Sequence, residues 1–213
     1  MRKNIIITGG TGRFGENLKK AKLKHKLFFP NKNQLNILKL KSIDKYLKKT
    51  KADIVIHLAG LSRPMDIHNR NIEKSIDLNI IGTANVTKAC STNNVKLLYF
   101  STNYVYPGTK GNYSEKDPVL PVNNYAWSKL GGEASVQLYK NSLILRVCMT
   151  EKPFVHSRAF ANVKTSFMYH EEVTKILFKL LNKKGIINLG GKSQYIFDFA
   201  KKNKKNVKKI FLR

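Results

Sequence analysis

ITGGTGRFG, residues 7–15, sets four glycines and two threonines directly after the apolar run at 4–7. Gly9, Gly12 and Gly15 recur at every third position. The first closes a short strand, and the last opens the lysine-rich amphipathic stretch 13–23. A strand that feeds a helix through glycines lets the backbone approach a pyrophosphate and turns amide N–H groups toward it. A flexible turn after a buried strand would use the same residues, so the loop by itself leaves both readings open. The strand–turn–helix context favours the phosphate cradle.

Outward from this loop, apolar runs recur at 4–8, 26–29, 53–59, 95–101, 142–148 and 185–190. They are continuous rather than alternating, as expected of a sheet covered on both faces. Helical patterns fall between them at 13–23, 42–50, 69–93, 123–140 and 170–182. Within 69–93, Ile72, Ile76, Ile80 and Ala84 keep an i, i+4 spacing that predicts a buried stripe. Strand–helix alternation of this kind predicts an α/β fold, a doubly wound parallel sheet of Rossmann type, with ligands beyond the carboxyl ends of the strands. The segment 102–122, which holds Pro107, Gly108, Gly111, Pro118 and Pro121, is too long for a simple connection and points to function.

The chain has 213 residues, 42% of them hydrophobic, enough for one well-packed domain with at most a small appendage. Forty Lys and Arg against 13 Asp and Glu give a formal charge of +27. Such a charge suits a polyanion, but the lysines are scattered over every expected helix and no aromatic-rich basic motif accompanies them. Nucleic acid is therefore not the expected partner, and attraction of doubly anionic small ligands is. The opening Met-Arg-Lys runs straight into a strand, and no apolar stretch reaches the length of a membrane span, so neither a signal peptide nor a membrane is expected. Cys90 and Cys148 lie in apolar contexts without C-x-x-C spacing and read as reduced core residues of a cytoplasmic protein.

Chemistry concentrates at 101–133. The run STNYVYPG, 101–108, ends a strand, and NNYAWSKLGGE, 123–133, opens a helix. Tyr125 and Lys129 are four apart and share one helical face. An ammonium beside a phenol favours phenolate and is expected to lower the tyrosine pKa from its usual ~10. Thr102, at the strand end, can hydrogen-bond the same substrate oxygen. The alternative is an ordinary surface Tyr and Lys. The five histidines show no metal-ligand spacing, and no metal site is expected; His57 reads as a satisfied core or cofactor-edge residue. Ser101 lacks the elbow motif and base of a hydrolase nucleophile.

Together these residues resemble the extended short-chain dehydrogenase/reductases. The T-G-x-x-G-x-x-G signature stands as Thr8, Gly9, Gly12 and Gly15. HLAG (57–60) is similar to the segment after the third strand, and LNIIGTANVTKAC (78–90) to the helix that carries an active-site Asn, here Asn79. Residues 101–133 closely resemble the dTDP-4-dehydrorhamnose reductase branch. The resemblance spans about 4–148 and is traceable to GIINLGG (185–191). It implies reduction of a keto group, or related epimerase chemistry, on a nucleotide-linked sugar, with Tyr125 as general acid, Lys129 tuning it and holding the nicotinamide ribose, and Thr102 orienting the oxygen. Gly9, Thr11, Gly12, Arg13, Phe14 and Gly15 would surround the pyrophosphate; Leu58, Ala59 and Gly60 would line the channel to the nicotinamide; Asn79 and Ser101 would complete the cofactor side with Tyr125 and Lys129.

Departures from the pattern are informative. The dehydratases of this family carry Asp-Glu after the Thr, where Asn103 and Tyr104 stand here, so dehydratase chemistry lacks its side chains. The reductases are longer, and the shortfall lies between Arg146 and His170. The expected organisation is a dinucleotide-binding domain at 1–150 and a reduced substrate-side lobe at 151–213, partly packed back on it. After the second strand come Pro30, Asn31, Lys32 and Asn33, with no acid to accept a ribose 2′-OH; with Arg13 nearby, NADP is the expected cofactor and NAD the second option. A catalytically weak dinucleotide-binding structural or sensory protein is the alternative to the enzyme. Ile80, Ile81, Val86 and Cys90 on more than one side of 69–93 suggest a homodimer formed through that helix and 123–140.

Overall fold

The computed structural model describes residues 1–21 and 23–212. Position 22, inside the helix expected at 13–23, lies outside them. The chain begins with β1 (Asn4–Thr8), α1 (Arg13–Lys19), β2 (Lys26–Phe28), α2 (Leu40–Thr50) and β3 (Ile54–His57). It continues through α3 (Ile67–Arg70), α4 (Ile72–Ile76), a π-helical turn (Asp77–Ile81), α5 (Gly82–Thr92), β4 (Lys96–Thr102) and a 3-10 turn (Asn103–Val105). Next come α6 (Asn124–Gln137), β5 (Ser142–Val147), β6 (Met149–Thr150), β7 (Arg158–Phe160), β8 (Lys164–Thr165), β9 (Met168–Tyr169) and α7 (His170–Leu177). The last elements are β10 (Gly185–Leu189), β11 (Gln194–Tyr195), α8 (Ile196–Lys201) and β12 (Lys208–Ile210). Two compact units result: Met1–Arg146 with Asn182–Asn188, and Val147–Leu181 with Leu189–Arg213.

The first unit is built on a six-stranded sheet in the order β10-β5-β4-β3-β1-β2. β1 pairs in parallel with β2 and β3, and β3 in parallel with β4. Ile5, Ile6 and Ile7 are wholly buried, as a strand covered on both faces requires. Ile6, Val55, Leu97, Tyr99 and Ile144 of the sheet pack with Ile43 and Leu47 of α2, Val86 and Cys90 of α5, and Val136 of α6. Burying each such aliphatic side chain stabilises the fold by about 1.5–3 kcal/mol. The chain leaves β1 for β2 at one edge, then crosses back to β3 on the other side of β1. That reversal opens a crevice at the carboxyl ends of β1 and β3, where sheets of this type take ligands.

The expected single helix 69–93 is instead broken. Asn71, at φ −140 and ψ 78, separates α3 from α4, and its side chain caps α4 by accepting from the Lys74 N–H. The π-helical turn then changes the pitch. The stripe expected to be buried is not the one that is: Ile72 is 57% exposed and Ile76 40%, whereas Ser75, Asn79 and Thr83 are at most 3% exposed. These three residues keep the same i, i+4 spacing. They are polar because they meet polar groups at the strand ends rather than the apolar core. Of the residues expected to form an apolar surplus, Val86 and Cys90 belong to the core, and Ile81 is exposed.

The second unit is made of small pieces. β6 pairs with β9, β7 with β12, and β8 with β11, around a core of Phe154, Ala159, Phe199, Ala200 and Val207 with Phe167 and Tyr169 packed on it. Strands of two or three residues leave no periodic signal, so none of these, nor α8, was expected from hydrophobic pattern.

Candidate active site

Two kinds of construction meet at the carboxyl edge of the first unit. The glycine crossover is built from backbone. Gly9 has φ 70, and a Cβ there would lie 2.6 Å from the Ala59 N; one on Gly15 would lie 2.4 Å from the Gly10 O. Both glycines are required by close backbone approach. Gly12 differs: a Cβ there would meet only the Gly9 carbonyl at 3.2 Å, so its outer side is open. It precedes α1 without a side-chain cap. Phe14 is buried against Phe100, with ring centroids 5.2 Å apart, and anchors the loop, while Thr11 and Arg13 are exposed.

Beneath the loop, Thr8 Oγ1 lies 2.7 Å from His57 Nδ1, and His57 Nε2 lies 3.1 Å from Thr83 Oγ1. Burial, aided by the Lys129 charge, drives the His57 pKa down to about 3, so the imidazole is neutral and satisfied at both nitrogens. Leu58 and Ala59 are half-buried and Gly60 is exposed along the crevice. Asn79 is fully buried; it accepts from the Leu61 N–H at 2.7 Å and donates to the Leu61 carbonyl at 2.9 Å and to Ser128 Oγ at 2.8 Å. Its amide is thus committed to clamping the loop after β3 onto α6. Asn31 folds the turn after β2, its side chain accepting from the Asn33 and Gln34 N–H groups, and Lys32 is exposed there.

The second construction is of side chains. Asn123 caps α6 by accepting from the Ala126 N–H at 2.9 Å, which starts the helix one residue before Tyr125. Thr102, at the end of β4, accepts from the Tyr104 N–H, and its side chain lies near enough to the Tyr125 phenol to pull its pKa down. Thr102 and Tyr125 are therefore brought together, and Lys129 is buried one turn further along α6. The expected ionisation is corrected by the structure. Burial pushes the Tyr125 phenol up to about 12, against the downward pull of the Thr102 side chain and the Arg63 charge. Lys129 does not depress it: the ammonium sits 4.2 Å above the Tyr99 ring, and burial lowers its own pKa to about 7 against the pull of Glu133.

Glu133 cannot serve Lys129 alone, because Arg146 Nε and Nη2 donate to both of its oxygens at 2.9–3.2 Å. Arg146 Nη1 also donates to the Tyr106 hydroxyl at 2.7 Å, and Tyr106 stacks on Tyr113 with centroids 4.8 Å apart. Asn188 donates to the Tyr113 carbonyl. This buried network fixes the long 102–122 segment against β5 and β10.

Three neighbours of Tyr125 escape a reading by motif. Tyr104 stands edge-on to it with centroids 6.5 Å apart, His68 lies at 5.2 Å, and Arg63 is close enough to act on its charge. Tyr104 lies within STNYVY, but neither spacing nor composition marks Arg63 or His68. Among the described residues, His68 Nε2 and Ser101 Oγ are buried without a hydrogen-bond partner. Among the described residues no group of three His, Cys, Asp or Glu could hold a metal ion, and no helix is long and apolar enough to cross a membrane.

A model of the RmlD substrate binding domain matches residues 2–170. Methionine adenosyltransferase 2 subunit beta of Pongo abelii is 26% identical over 143 residues, which cover 63% of this chain and 42% of that protein. The chain thus spans about two fifths of the length of that curated relative. dTDP-D-glucose 4,6-dehydratase of Dictyostelium discoideum is 29% identical over 231 aligned positions, 90% of this chain and 51% of that one. Among solved structures, dTDP-4-dehydrorhamnose reductase from Bacillus anthracis in complex with NADP superposes with a TM-score of 0.88 at 24% identity, covering 100% of this chain and 85% of that chain. At that identity the likeness carries the fold.

Proposed function

The chain belongs to the RmlD substrate binding domain family, and on that premise we propose that it is an NAD(P)-dependent oxidoreductase of the extended short-chain dehydrogenase/reductase type. Its reaction is reduction of a keto group on a nucleotide-linked sugar. The observation that carries this reading is that Thr102 lies beside the buried Tyr125, with Lys129 buried one turn further along α6. Gly12 supports a dinucleotide, because its open outer side leaves a pyrophosphate room beside the backbone of Gly9–Gly15. Lys32 and the absence of an acid at 29–34 favour NADP, with NAD as the second option.

When bound, the dinucleotide supplies the hydride. Thr102 holds the carbonyl oxygen of the substrate, and Tyr125 gives that oxygen its proton. A phenol at about 12 is protonated at neutral pH, the state a donor needs. Lys129, one turn from Tyr125 on α6, would hold ribose hydroxyls of the dinucleotide. Thr11, Arg13 and Phe14 belong to the pyrophosphate side, Leu58, Ala59 and Gly60 to the nicotinamide channel, and Ser101 to the cofactor side. Asn79 acts through the clamp described above, and Asn31 shapes the turn that presents Lys32. The first 150 residues are assigned to dinucleotide binding and 151–213 to a reduced substrate-side lobe. The two buried thiols, Cys90 and Cys148, fit a cytoplasmic setting.

NADPH oxidation against a panel of nucleotide-linked keto-sugars tests the reaction. A protein that binds NADPH but turns over none of them leaves the second reading, a dinucleotide-binding subunit. Two observations favour that reading: Lys129 lies over Tyr99 instead of depressing Tyr125, and a relative is itself named as a subunit. A homodimer is also proposed, through the exposed Ile72, Ile76 and Ile81 with Trp127 of α6. Repulsion between +27 chains is screened beyond about 8 Å at physiological salt, so apolar burial can win there. Light scattering at physiological and low salt is expected to show a dimer that weakens as salt falls; a monomer in both would exclude it.

A further inference from the structure

His68 is 1% exposed and lies on the short α3. α3 is tied to the start of α6 by the Asn124 side-chain N–H, which donates to Asn69 Oδ1 at 2.9 Å. His68 Nδ1 lies 2.7 Å from Ser75 Oγ. The Ser75 hydroxyl is itself buried, and among the described residues it has no other hydrogen-bond partner. Its proton is therefore given to Nδ1, since donation in the other sense would leave a buried hydroxyl proton unmet. A neutral imidazole that accepts at Nδ1 carries its proton at Nε2. Among the described residues that N–H has no oxygen or nitrogen acceptor. The imidazole that carries it packs beside the ring of Tyr125, with centroids 5.2 Å apart and planes inclined at 57°. A tilted contact at this distance suits an N–H directed at the electron-rich face of an aromatic ring.

We propose that His68 is a positioning residue for Tyr125, holding the phenol ring through an Nε2–H donated to its face, with Ser75 fixing the tautomer. The proposal rests on the reading of Tyr125 as the proton donor. It explains why a histidine is kept in a buried place where half of its hydrogen-bonding capacity would otherwise be wasted. The N–H stabilises electron density on the ring, and so does more for the phenolate that follows proton transfer than for the phenol that precedes it.

Nitrogen-15 NMR of histidine and carbon-13 NMR of tyrosine, with Tyr125 assigned through Tyr125→Phe, test the contact in the ligand-free chain. The expected result is His68 in the Nε2–H tautomer, and a displaced Tyr125 ring-carbon resonance in His68→Phe, which keeps a ring but loses the donor. Ser75→Ala, a smaller change, is expected to bring in the Nδ1–H tautomer. In turnover, His68→Phe is expected to lower kcat about threefold, the scale of one weak N–H contact to a ring, with the substrate KM and the NADPH Kd unchanged. An Nδ1–H tautomer in the wild type, or a Tyr125 resonance indifferent to His68→Phe, would overturn the proposal. A wild-type chain that reduces no keto-sugar would count against the oxidoreductase reading, while the two NMR measurements would still decide the contact.

Discussion

The glycine crossover and the Tyr125 pocket sit at the same edge of the sheet and are held by different means. At the crossover, backbone packs on backbone: Gly9 against Ala59, and Gly15 against Gly10. No side chain has to be oriented, so the shape follows from where glycines stand in a short stretch. The pocket instead gathers Arg63 and His68 after β3, Thr102 at the end of β4 and Tyr104 after it, and Tyr125 and Lys129 on α6. Its chemistry depends on desolvation and on which groups become neighbours. A backbone-built site is robust to its surroundings, whereas a side-chain-built site inherits its properties from them.

Glycine substitutions should divide the crossover most sharply. Gly15→Val puts side-chain atoms into the Gly10 backbone and is expected to cost about 3 kcal/mol or more, read as a lower midpoint in urea. Gly12→Val should fold with a smaller penalty yet fail to bind NADPH in a fluorescence titration, because its Cβ meets only the Gly9 carbonyl, at 3.2 Å, and the branched side chain stands where a pyrophosphate would approach. Equal destabilisation by both, with binding intact in Gly12→Val, would reduce the crossover to an ordinary turn.

In the pocket, Tyr125→Phe removes a hydroxyl and leaves the ring in place. Turnover is expected to fall by ~10²–10⁴-fold with dinucleotide affinity retained. Residual activity above about a tenth of wild type would remove Tyr125 from the role of proton donor.

Lys129 carries the influence of burial into stability. In the unfolded chain its ammonium keeps a proton up to the usual 10.5, and in the folded chain only up to about 7. Between these values unfolding takes up a proton, so the contribution of this group stabilises the fold as pH rises from 7, and below 7 it is flat. The ligand-free protein should gain roughly 1 kcal/mol per pH unit over that window, and Lys129→Met should lose that slope. Denaturant titrations of both proteins at pH 7 and 9 compare them, and identical slopes would mean that Lys129 is not desolvated.

The smallest expected effect lies at the rim, on the exposed turn after β2. Lys32→Asp should move the NADPH-to-NADH preference toward NADH without affecting stability, since an acid there can accept a ribose 2′-OH and repels a phosphate. A wild-type preference for NADH would reverse the assignment.

The strand–helix alternation, the glycine crossover, and the sequence proximity of Tyr125 and Lys129 were legible because each is written in short windows. The polar face of α4 and α5 was not. Ile72 and Ile76 carry the stronger hydrophobic signal, yet Ser75, Asn79 and Thr83 are the buried residues, because their neighbours are His57, Ser128, His68 and the Leu61 backbone. Periodicity counts apolar residues and cannot register burial against polar partners. His68 was silent for the same reason, its side chain meeting a serine seven residues away on another helix.

The sequence by itself determined the parallel sheet, through continuous apolar strands, and the crossover, through glycines at positions where a Cβ would strike backbone. Tertiary structure decided the protonation of the site. Whether a phenol sits near 10 or near 12, and whether a lysine four residues away lowers it or turns to the Tyr99 ring, depends on water excluded by segments far apart in the chain. Desolvation and Coulomb interaction act through space. Spacing along one helix places two side chains on a common face, and only the packed surroundings fix their charge.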